Sequence, residues 1–400
     1  MNILYYCEEY PPVRNGGIGT VVKLVAEAMS RRGHKVVVVG KYWEGNGIST
    51  KERINGVDII RWHKRRYNSF ILRLCSFIGT PKAKAIKSQL VFSRTQRLLK
   101  KTVNQYSIDI VELPDYVDDF IHCNSLRVTQ WSCPAPKIIR VHGSVSFLLH
   151  YLQGSPKERT IEQDRAFFCQ AEAVYAVSRF SKEYVEHYLC PERDVRVIYN
   201  PIEEQWFRAN KEEKSSQTIL FFGKIAKMKG VFSLVKAFNL IADDFLSIRL
   251  KLIGSGDVES VKKLVEPQFS DRVVFEGFLP QDRIMEEIDN ALFCVLPSFF
   301  ENFSMAALEV LARRRTLIYT DRASGSELID DGVNGLLVDP DNVGQLAEKM
   351  RLLLSNPDLR YRLAENGYKM CKQRFSTEII LPQIETFYEE VIRECRKSKN

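Results

Sequence analysis

Two glutamates, Glu301 and Glu309, lie in the second half of the chain with seven residues between them. Ser304 between them is a typical helix N-cap, so Glu309 falls about five residues into a helix, roughly 7–8 Å along its axis. The two carboxylates therefore cannot form a tight dyad on one water, but they can hold the two ends of one extended ligand. The unpaired N–H groups of residues 302–304 would face a polar or anionic group of that ligand.

The residues around these glutamates predict a strand, a loop, a helix and a second strand. Apolar runs at 292–296 and 316–320 are typical of buried strands, and apolar residues from Met305 to Ala312 recur at helical spacing. Such units build parallel sheets, which bind ligands at the carboxyl ends of their strands. An ordinary unit with two solvated glutamates is the alternative that spacing alone leaves open.

Two lysines, Lys224 and Lys229, follow a strand predicted at 218–223 and precede Gly230 and a predicted helix at 231–241. Cations at such a place suit a diphosphate, because they neutralise the negative charge that grows on a leaving group. Two ordinary surface lysines are the alternative.

The first half of the chain predicts a βαβ unit of the Rossmann type, with strands at 2–6 and 35–39 and a helix at 20–32. The run Gly16-Gly17-x-Gly19 lies between the first strand and the helix, where a plain tight turn is the alternative to a phosphate-binding loop. Further strands are predicted at 108–112 and 137–141. His142 follows the last of these, although a lone histidine is more often structural.

These segments resemble the GT4 family of retaining, nucleotide-sugar-dependent glycosyltransferases over nearly the whole chain. The sequence PSFFENFSMAALEVLA, from residue 297, is similar to the E-x7-E motif, and FFGKIAKMKG, from residue 221, to the GR-x4-KG motif. RVHG, at 140–143, and GGIG, at 16–19, resemble further segments of the family. The resemblance implies that Glu301 faces the transferred sugar and Glu309 binds the ribose. It also implies that the two lysines grip the pyrophosphate and that His142 lies near the C6 hydroxyl.

The residues implied in catalysis are Glu301, His142, Lys224 and Lys229. Those implied in donor binding are Gly16, Gly17, Gly223, Asn302, Phe303, Ser304 and Glu309, with the amides after Glu301 binding sugar hydroxyls. No cofactor and no metal are expected, because the lysines and a helix amino terminus would replace a metal. The chain departs from the family at Lys224, where arginine is usual and where lysine lacks the bidentate fork. It also departs at Arg313–Arg315, which we interpret as a basic surface turn that faces lipid.

The implied fold class is α/β, of the GT-B type, with two Rossmann-like domains facing each other across a cleft. We expect an acceptor-side domain at 1–203, a donor-side domain at 204–381, and a C-terminal helix at 382–400 that crosses back to the first domain. A length of 400 residues agrees with two domains.

Composition restricts the class of protein. The 45% hydrophobic and 27% charged residues are those of a soluble globular protein. The nine cysteines are dispersed without a C-x-x-C pair, which predicts reduced thiols in a cytoplasmic protein. Glu8 and Glu9 follow the first strand at once, so we expect no signal peptide, and no apolar run approaches the ~20 residues of a membrane helix.

Residues 61–101 are strongly basic, with aromatic and aliphatic residues between the charges. A solvated helical face is one interpretation, and an anionic membrane surface is the other. Nucleic acid is not expected as a partner, since no recognised binding motif accompanies the charges.

The sequence thus predicts a retaining glycosyltransferase that uses a nucleotide sugar donor and a glycan or lipid-linked acceptor in cell-surface glycan synthesis. It would act in the cytoplasm, on the inner face of the membrane. A GT-B enzyme of other chemistry (an inverting transferase or an epimerase) and a non-catalytic sugar-nucleotide binding protein remain alternatives. The sugar, the base, the acceptor and the oligomeric state are left open.

Overall fold

The computed structural model describes residues 1–12, 16–42, 50–63, 80–116, 132–207 and 217–398. The chain divides into two compact units. The first contains Met1–Pro201 and the C-terminal residues from Ile380, and the second contains Ile202–Ile379. The boundaries expected from the sequence, after residues 203 and 381, each lie two residues beyond these limits.

The first unit is built on a sheet in the order β3-β4-β2-β1-β5-β6-β7-β8, counted over its described residues. All neighbours are parallel except the β3–β4 pair. The valine run of β2 is buried on both faces, as expected of a strand inside a parallel sheet. The strands are β1 (Asn2–Tyr6), β2 (Lys35–Tyr42), β3 (Lys51–Ile54), β4 (Val57–His63), β5 (Ile110–Pro114), β6 (Lys137–Val141), β7 (Ala173–Ala176) and β8 (Arg196–Val197).

The helices of the first unit connect these strands. They are α1 (Gly17–Arg31), α2 (Pro81–Tyr106), α3 (Val145–Gln153), α4 (Glu158–Phe168) and α5 (Arg179–Tyr184), the last continued by a π-helical turn (Val185–Leu189). Helix α1 begins three residues before its predicted start, because the carbonyl of Gly16 already accepts the N–H of Thr20 at 3.1 Å.

The second unit is a fully parallel sheet in the order β11-β10-β9-β12-β13-β14, again over the described residues. Its strands are β9 (Thr218–Phe222), β10 (Arg249–Ile253), β11 (Val273–Glu276), β12 (Phe293–Leu296), β13 (Thr316–Thr320) and β14 (Leu336–Val338). Its helices are α6 (Val231–Asn239), α7 (Val258–Lys262), α8 (Gln281–Asp289), α9 (Met305–Ala312), α10 (Gly325–Leu328), α11 (Val343–Ser355) and α12 (Pro357–Phe375). The expectation of two parallel α/β domains is confirmed.

Helix α13 (Thr377–Lys397) starts in the second unit and continues into the first. Glu385 on this helix accepts hydrogen bonds from Arg32 at 2.6 and 2.7 Å and contacts the His34 ring at 2.7 Å. The hydroxyl of Tyr388 donates to Glu112, a buried carboxylate of β5. Charged and polar contacts, besides apolar packing, therefore fix this helix to the first sheet.

The expectation that Arg313–Arg315 form a lipid-facing surface turn is wrong. Arg313 and Arg315 are buried, and the guanidinium of Arg313 pairs with the carboxylate of Asp289. Arg314 pairs with Glu365 on α12. The three arginines fasten the end of α9 to its neighbours inside the second unit, and a partner so distant in sequence cannot be read from the turn itself.

The described residues contain no helix that is both long enough and apolar enough to cross a membrane. Of the basic segment at 61–101, residues 64–79 lie outside the described part of the chain. Residues 61–63 end strand β4, and helix α2 carries residues 81–101. The helix exposes Ile86, Leu90 and Arg94 at four-residue spacing, with Arg97 and Lys101 also exposed. These five positions fall on one face of the helix.

Candidate functional site

The predicted donor residues of the second unit lie in loops that leave neighbouring strands. Strands β9, β12 and β13 are adjacent and parallel, so their carboxyl ends meet at one edge of the sheet. The loop after β9 carries Gly223, Lys224 and Lys229, and the loop after β12 carries Glu301. This is the edge where parallel sheets bind ligands.

The loop after β9 is held by close backbone packing. Its 3₁₀ turn, Lys227–Lys229, ends at Gly230, which has a φ of 70°. A Cβ at Gly230 would lie 1.8 Å from the carbonyl oxygen of Pro297, so only glycine fits. The N–H of Phe299 also donates to the carbonyl of Met228 at 2.9 Å. The lysine loop and the glutamate loop are therefore fixed against each other.

Lys229 and Glu301 form the central contact of this edge. The Lys229 Nζ donates to Glu301 Oε1 at 2.5 Å, and the hydroxyl of Ser298 donates to the same oxygen at 3.0 Å. The Glu301 side chain is 17% exposed and that of Lys229 is 36% exposed, so the pair can be reached by a ligand. Lys224 is exposed and has no ion pair in the described residues, which leaves its charge for a ligand.

Two serines that were not predicted as site residues position Glu301. Besides Ser298, the fully buried Ser324 donates from its hydroxyl to the main-chain carbonyl of Glu301 at 3.1 Å. Ser324 follows β13, the next strand along the sheet. Its place after a strand was a signal in the sequence, but its contact with Glu301 depends on the strand order.

Helix α9 begins as predicted. The hydroxyl of Ser304 accepts the N–H of Ala307 at 3.3 Å, which caps the helix. Asn302 is buried, and the ring of Phe303 packs edge-on against Phe375 at 5.3 Å between centroids. Because the Phe303 side chain lies in the core, its predicted role in donor binding would fall to its main-chain N–H.

Glu309, on the same helix, has a different environment from Glu301. Its side chain is half-buried, and its carboxylate has neither a hydrogen bond nor an ion pair within the described residues. Desolvation by the surrounding protein raises the pKa of Glu309 to about 8. The carboxyl group is therefore mostly protonated at neutral pH, and donated hydrogen bonds from a ligand would favour its ionised form.

In the first unit, His142 lies at the carboxyl end of β6. Burial, together with the charge of Arg140, holds the pKa of His142 well below its usual range, so the ring is neutral at physiological pH. Its Nε2 is buried and has no hydrogen-bond partner within the described residues.

The buried carboxylate of Asp115, which was not predicted as a site residue, holds the loop that carries His142. It accepts the main-chain N–H groups of His142 and Gly143 at 2.9 and 2.8 Å. Burial raises the pKa of Asp115 to about 7. The histidine loop is thus fixed from the neighbouring strand, since β5 and β6 pair in parallel.

The glycine loop of the first unit ends at the start of α1. Gly16 is the extended residue before the helix, and Gly17 is its exposed first residue. A Cβ at Gly19 would lie 2.0 Å from the carbonyl oxygen of Glu9, which explains the glycine there. The first-turn N–H groups of α1 suit an anionic group. No group of three or more His, Cys, Asp or Glu side chains that could hold a metal occurs in the described residues.

Comparisons with known proteins show which family and fold the chain is similar to. The family model described as "Glycosyl transferases group 1" matches residues 202–370, and "Glycosyltransferase Family 4" matches residues 15–206. An uncharacterized glycosyltransferase of Methanocaldococcus jannaschii is 26% identical over 404 residues, covering 97% of this chain and 98% of that protein.

Two solved structures share the fold over nearly their full length. Sucrose-phosphate synthase from Thermosynechococcus elongatus has a TM-score of 0.77 at 18% identity, covering 98% of this chain and 99% of that chain. HepE of Anabaena, in complex with UDP and glucose, has a TM-score of 0.73 at 15% identity, covering 97% and 99%. At these identities the likeness shows the fold, which is GT-B.

The environment of Glu309 predicts a pH dependence of stability. The folded protein holds this proton up to a pH of about 8, whereas the unfolded chain releases it near the ordinary pKa of 4.5. The contribution of Glu309 to the free energy of unfolding therefore falls as pH rises between these two values and levels off above pH 8. We expect Glu309→Gln to gain stability relative to the wild type between pH 6 and 8, as measured by urea unfolding. Glu389→Gln, at an exposed position, is the control and should show no such gain. Parallel pH profiles for the wild type and Glu309→Gln would contradict the assignment.

Proposed function

The chain belongs to the GT-B glycosyltransferases of group 1 and family 4, and we propose that it is a retaining enzyme that uses a nucleotide diphosphate sugar. The observation that carries this proposal is the contact of Lys229 with Glu301 at the carboxyl edge of the second sheet. Two charges develop when a glycosidic bond to a diphosphate breaks, and a cation in contact with a carboxylate can stabilise both. The leaving diphosphate gains negative charge, and the sugar gains positive charge.

In the proposed mechanism, Lys224 and Lys229 bind the diphosphate and Glu301 faces the sugar. The diphosphate would draw Lys229 toward its own oxygens, and Glu301 would keep the hydrogen bond from Ser298. The carboxylate would then be free to stabilise positive charge on the sugar. Glu309 would accept hydrogen bonds from the ribose hydroxyls, and His142, as a neutral ring, would bind a sugar hydroxyl.

The donor class has further support in the HepE structure, which was solved with UDP and glucose. Glu309, which has no polar partner within the described residues, suits a ribose diol, which offers two donors. The acceptor, which we propose to be a glycan or lipid-linked glycan of the cell surface, follows from the family resemblance.

Substitutions of the two glutamates should have different effects on nucleotide binding and on turnover. Glu309→Gln should weaken the bare nucleoside diphosphate and the full donor alike, by about 1.5–3 kcal/mol at pH 9, where Glu309 is ionised in the free protein. Glu301→Gln should leave the bare nucleotide nearly unaffected and lower turnover, because its carboxylate acts on the sugar in the transition state. Calorimetry with UDP and steady-state kinetics with the full donor measure the two effects. Equal loss of UDP binding in both variants would refute the assignment of Glu309 to the nucleotide and Glu301 to the sugar.

We propose that the reaction needs no added metal, because lysines neutralise the diphosphate. Activity should then persist in excess EDTA. Complete loss in EDTA, restored by Mg²⁺ or Mn²⁺, would show that a metal shares the role assigned to Lys224 and Lys229.

We also propose that the exposed face of α2 rests on an anionic membrane from the cytoplasmic side. Two apolar side chains followed by three cations on one helix face suit the boundary between acyl chains and anionic headgroups. The triple change of Arg94, Arg97 and Lys101 to Glu should reduce sedimentation with phosphatidylglycerol liposomes, and less so in high salt.

The matched control for the membrane experiment changes Lys236, Lys263 and Lys369, which are exposed lysines of the second unit, to Glu. It alters the net charge by the same amount and should leave liposome binding nearly intact. An equal loss in both triple variants would mean that net charge, and not the face of α2, drives the association.

A further inference from the structure

We infer that the rings of His150, Tyr151 and Phe180 form an aromatic platform on which a sugar ring of the acceptor stacks, so that the acceptor is a chain of sugars. The inference rests on the proposed function, since it names the acceptor class of that reaction. The three residues belong to the first unit, and the family resemblance gave no role to any of them.

The platform is a partly exposed layer of rings that lies on buried aromatic residues. Tyr151 is 41% exposed, while His150 and Phe180 are half-buried. The rings of Tyr151 and Phe180 lie 4.4 Å apart between centroids, and those of Tyr151 and His150 lie 4.8 Å apart. Beneath them, Phe147 and Tyr184 are buried, and their rings are 5.1 Å apart. Phe147 is also 5.1 Å from Tyr151.

The strand order places this platform on the ligand-binding edge of the first sheet. Helix α3, with His150 and Tyr151, begins just after β6, and helix α5, with Phe180, begins just after β7. Because β6 and β7 are parallel neighbours, both helices start at the same edge. This is also the edge where His142 lies.

Two buried carboxylates fix the platform relative to His142. Asp115 holds the N–H groups of His142 and Gly143, as described above. Asp164 on α4 accepts the N–H and the hydroxyl of Ser146, in the first turn of α3, at 2.8 and 2.6 Å. From the start of α3, Tyr151 lies roughly 9 Å along the helix axis. A single sugar at the strand end would not extend to Tyr151, whereas a chain of sugars would.

The chemistry of the platform suits a sugar better than an acyl chain. One face of a pyranose presents C–H groups that pack on the electron-rich face of an aromatic ring, while the tyrosine hydroxyl and imidazole nitrogens can bond sugar hydroxyls. The buried floor restrains the rings in advance, so less conformational entropy is lost on binding. Phe180 and Tyr151 thus offer rings on which a sugar can stack. The Tyr151 hydroxyl and the His150 nitrogens can orient that sugar by hydrogen bonds.

The test compares three single variants with the wild type. Tyr151→Ala removes the ring, Tyr151→Phe keeps it, and Leu152→Ala shortens a neighbouring aliphatic side chain that is 44% exposed. Binding is measured on an array of immobilised glucose, galactose, mannose and N-acetylglucosamine oligosaccharides of increasing length. We expect the wild type to bind at least one of them and Tyr151→Ala to bind it roughly three- to tenfold more weakly. Tyr151→Phe and Leu152→Ala should bind nearly as the wild type does.

Several outcomes would overturn the inference. One is that the wild type binds no oligosaccharide. Another is that Tyr151→Ala and Leu152→Ala lose oligosaccharide binding equally. A loss of liposome sedimentation in both of these variants, with oligosaccharide binding unchanged, would assign the surface to a membrane. Thermal shift with a panel of nucleotide sugars, run on the same proteins, separates this inference from the proposed function. Tyr151→Ala should keep the wild-type shift, and a wild type that no nucleotide sugar stabilises would contradict the proposed function itself.

Discussion

The contact between Lys229 and Glu301 exists because β9 and β12 are parallel neighbours in the second sheet. Neither residue is near the other in sequence, and each lies on a loop with little freedom of its own. The glycine contact at Gly230 and the hydrogen bond from Phe299 to Met228 fix the two loops against each other. A polar site at this edge therefore depends on the strand order more than on any single side chain.

The two glutamates near the start of α9 have different environments. Glu301 lies before the helix, where Lys229 and Ser298 both donate hydrogen bonds to one oxygen of its carboxylate. Glu309 lies a few residues into the helix, among groups that offer it no polar partner within the described residues and that raise its pKa to about 8. Under the proposed function, Glu301 would stabilise charge that develops in the reaction, and Glu309 would gain polar partners when a ligand donates hydrogen bonds to it. This difference is what the proposed division between sugar and ribose requires.

Much of the fold and part of the site can be predicted from the sequence. Particular residues show where prediction from local sequence patterns fails. Periodicity predicted the strands at 2–6 and 137–141 and the cap at Ser304, because these depend on local patterns. The roles of Ser324 and Asp115 depend on which strands are neighbours, so no local pattern reveals them. The arginines at 313–315 were misjudged for the same reason. Their partners, Asp289 among them, are brought to them only by the packing of the second unit.

The most direct test of the account is the anomer that the enzyme releases when it hydrolyses its donor without an acceptor. The donor is the nucleotide sugar that stabilises the protein most in thermal shift, and proton NMR follows the freed sugar before it mutarotates. If Glu301 faces the sugar of a retaining enzyme, an α-linked donor should release the α anomer first. Release of the β anomer first would contradict the account, because it would show that water attacks the sugar with inversion.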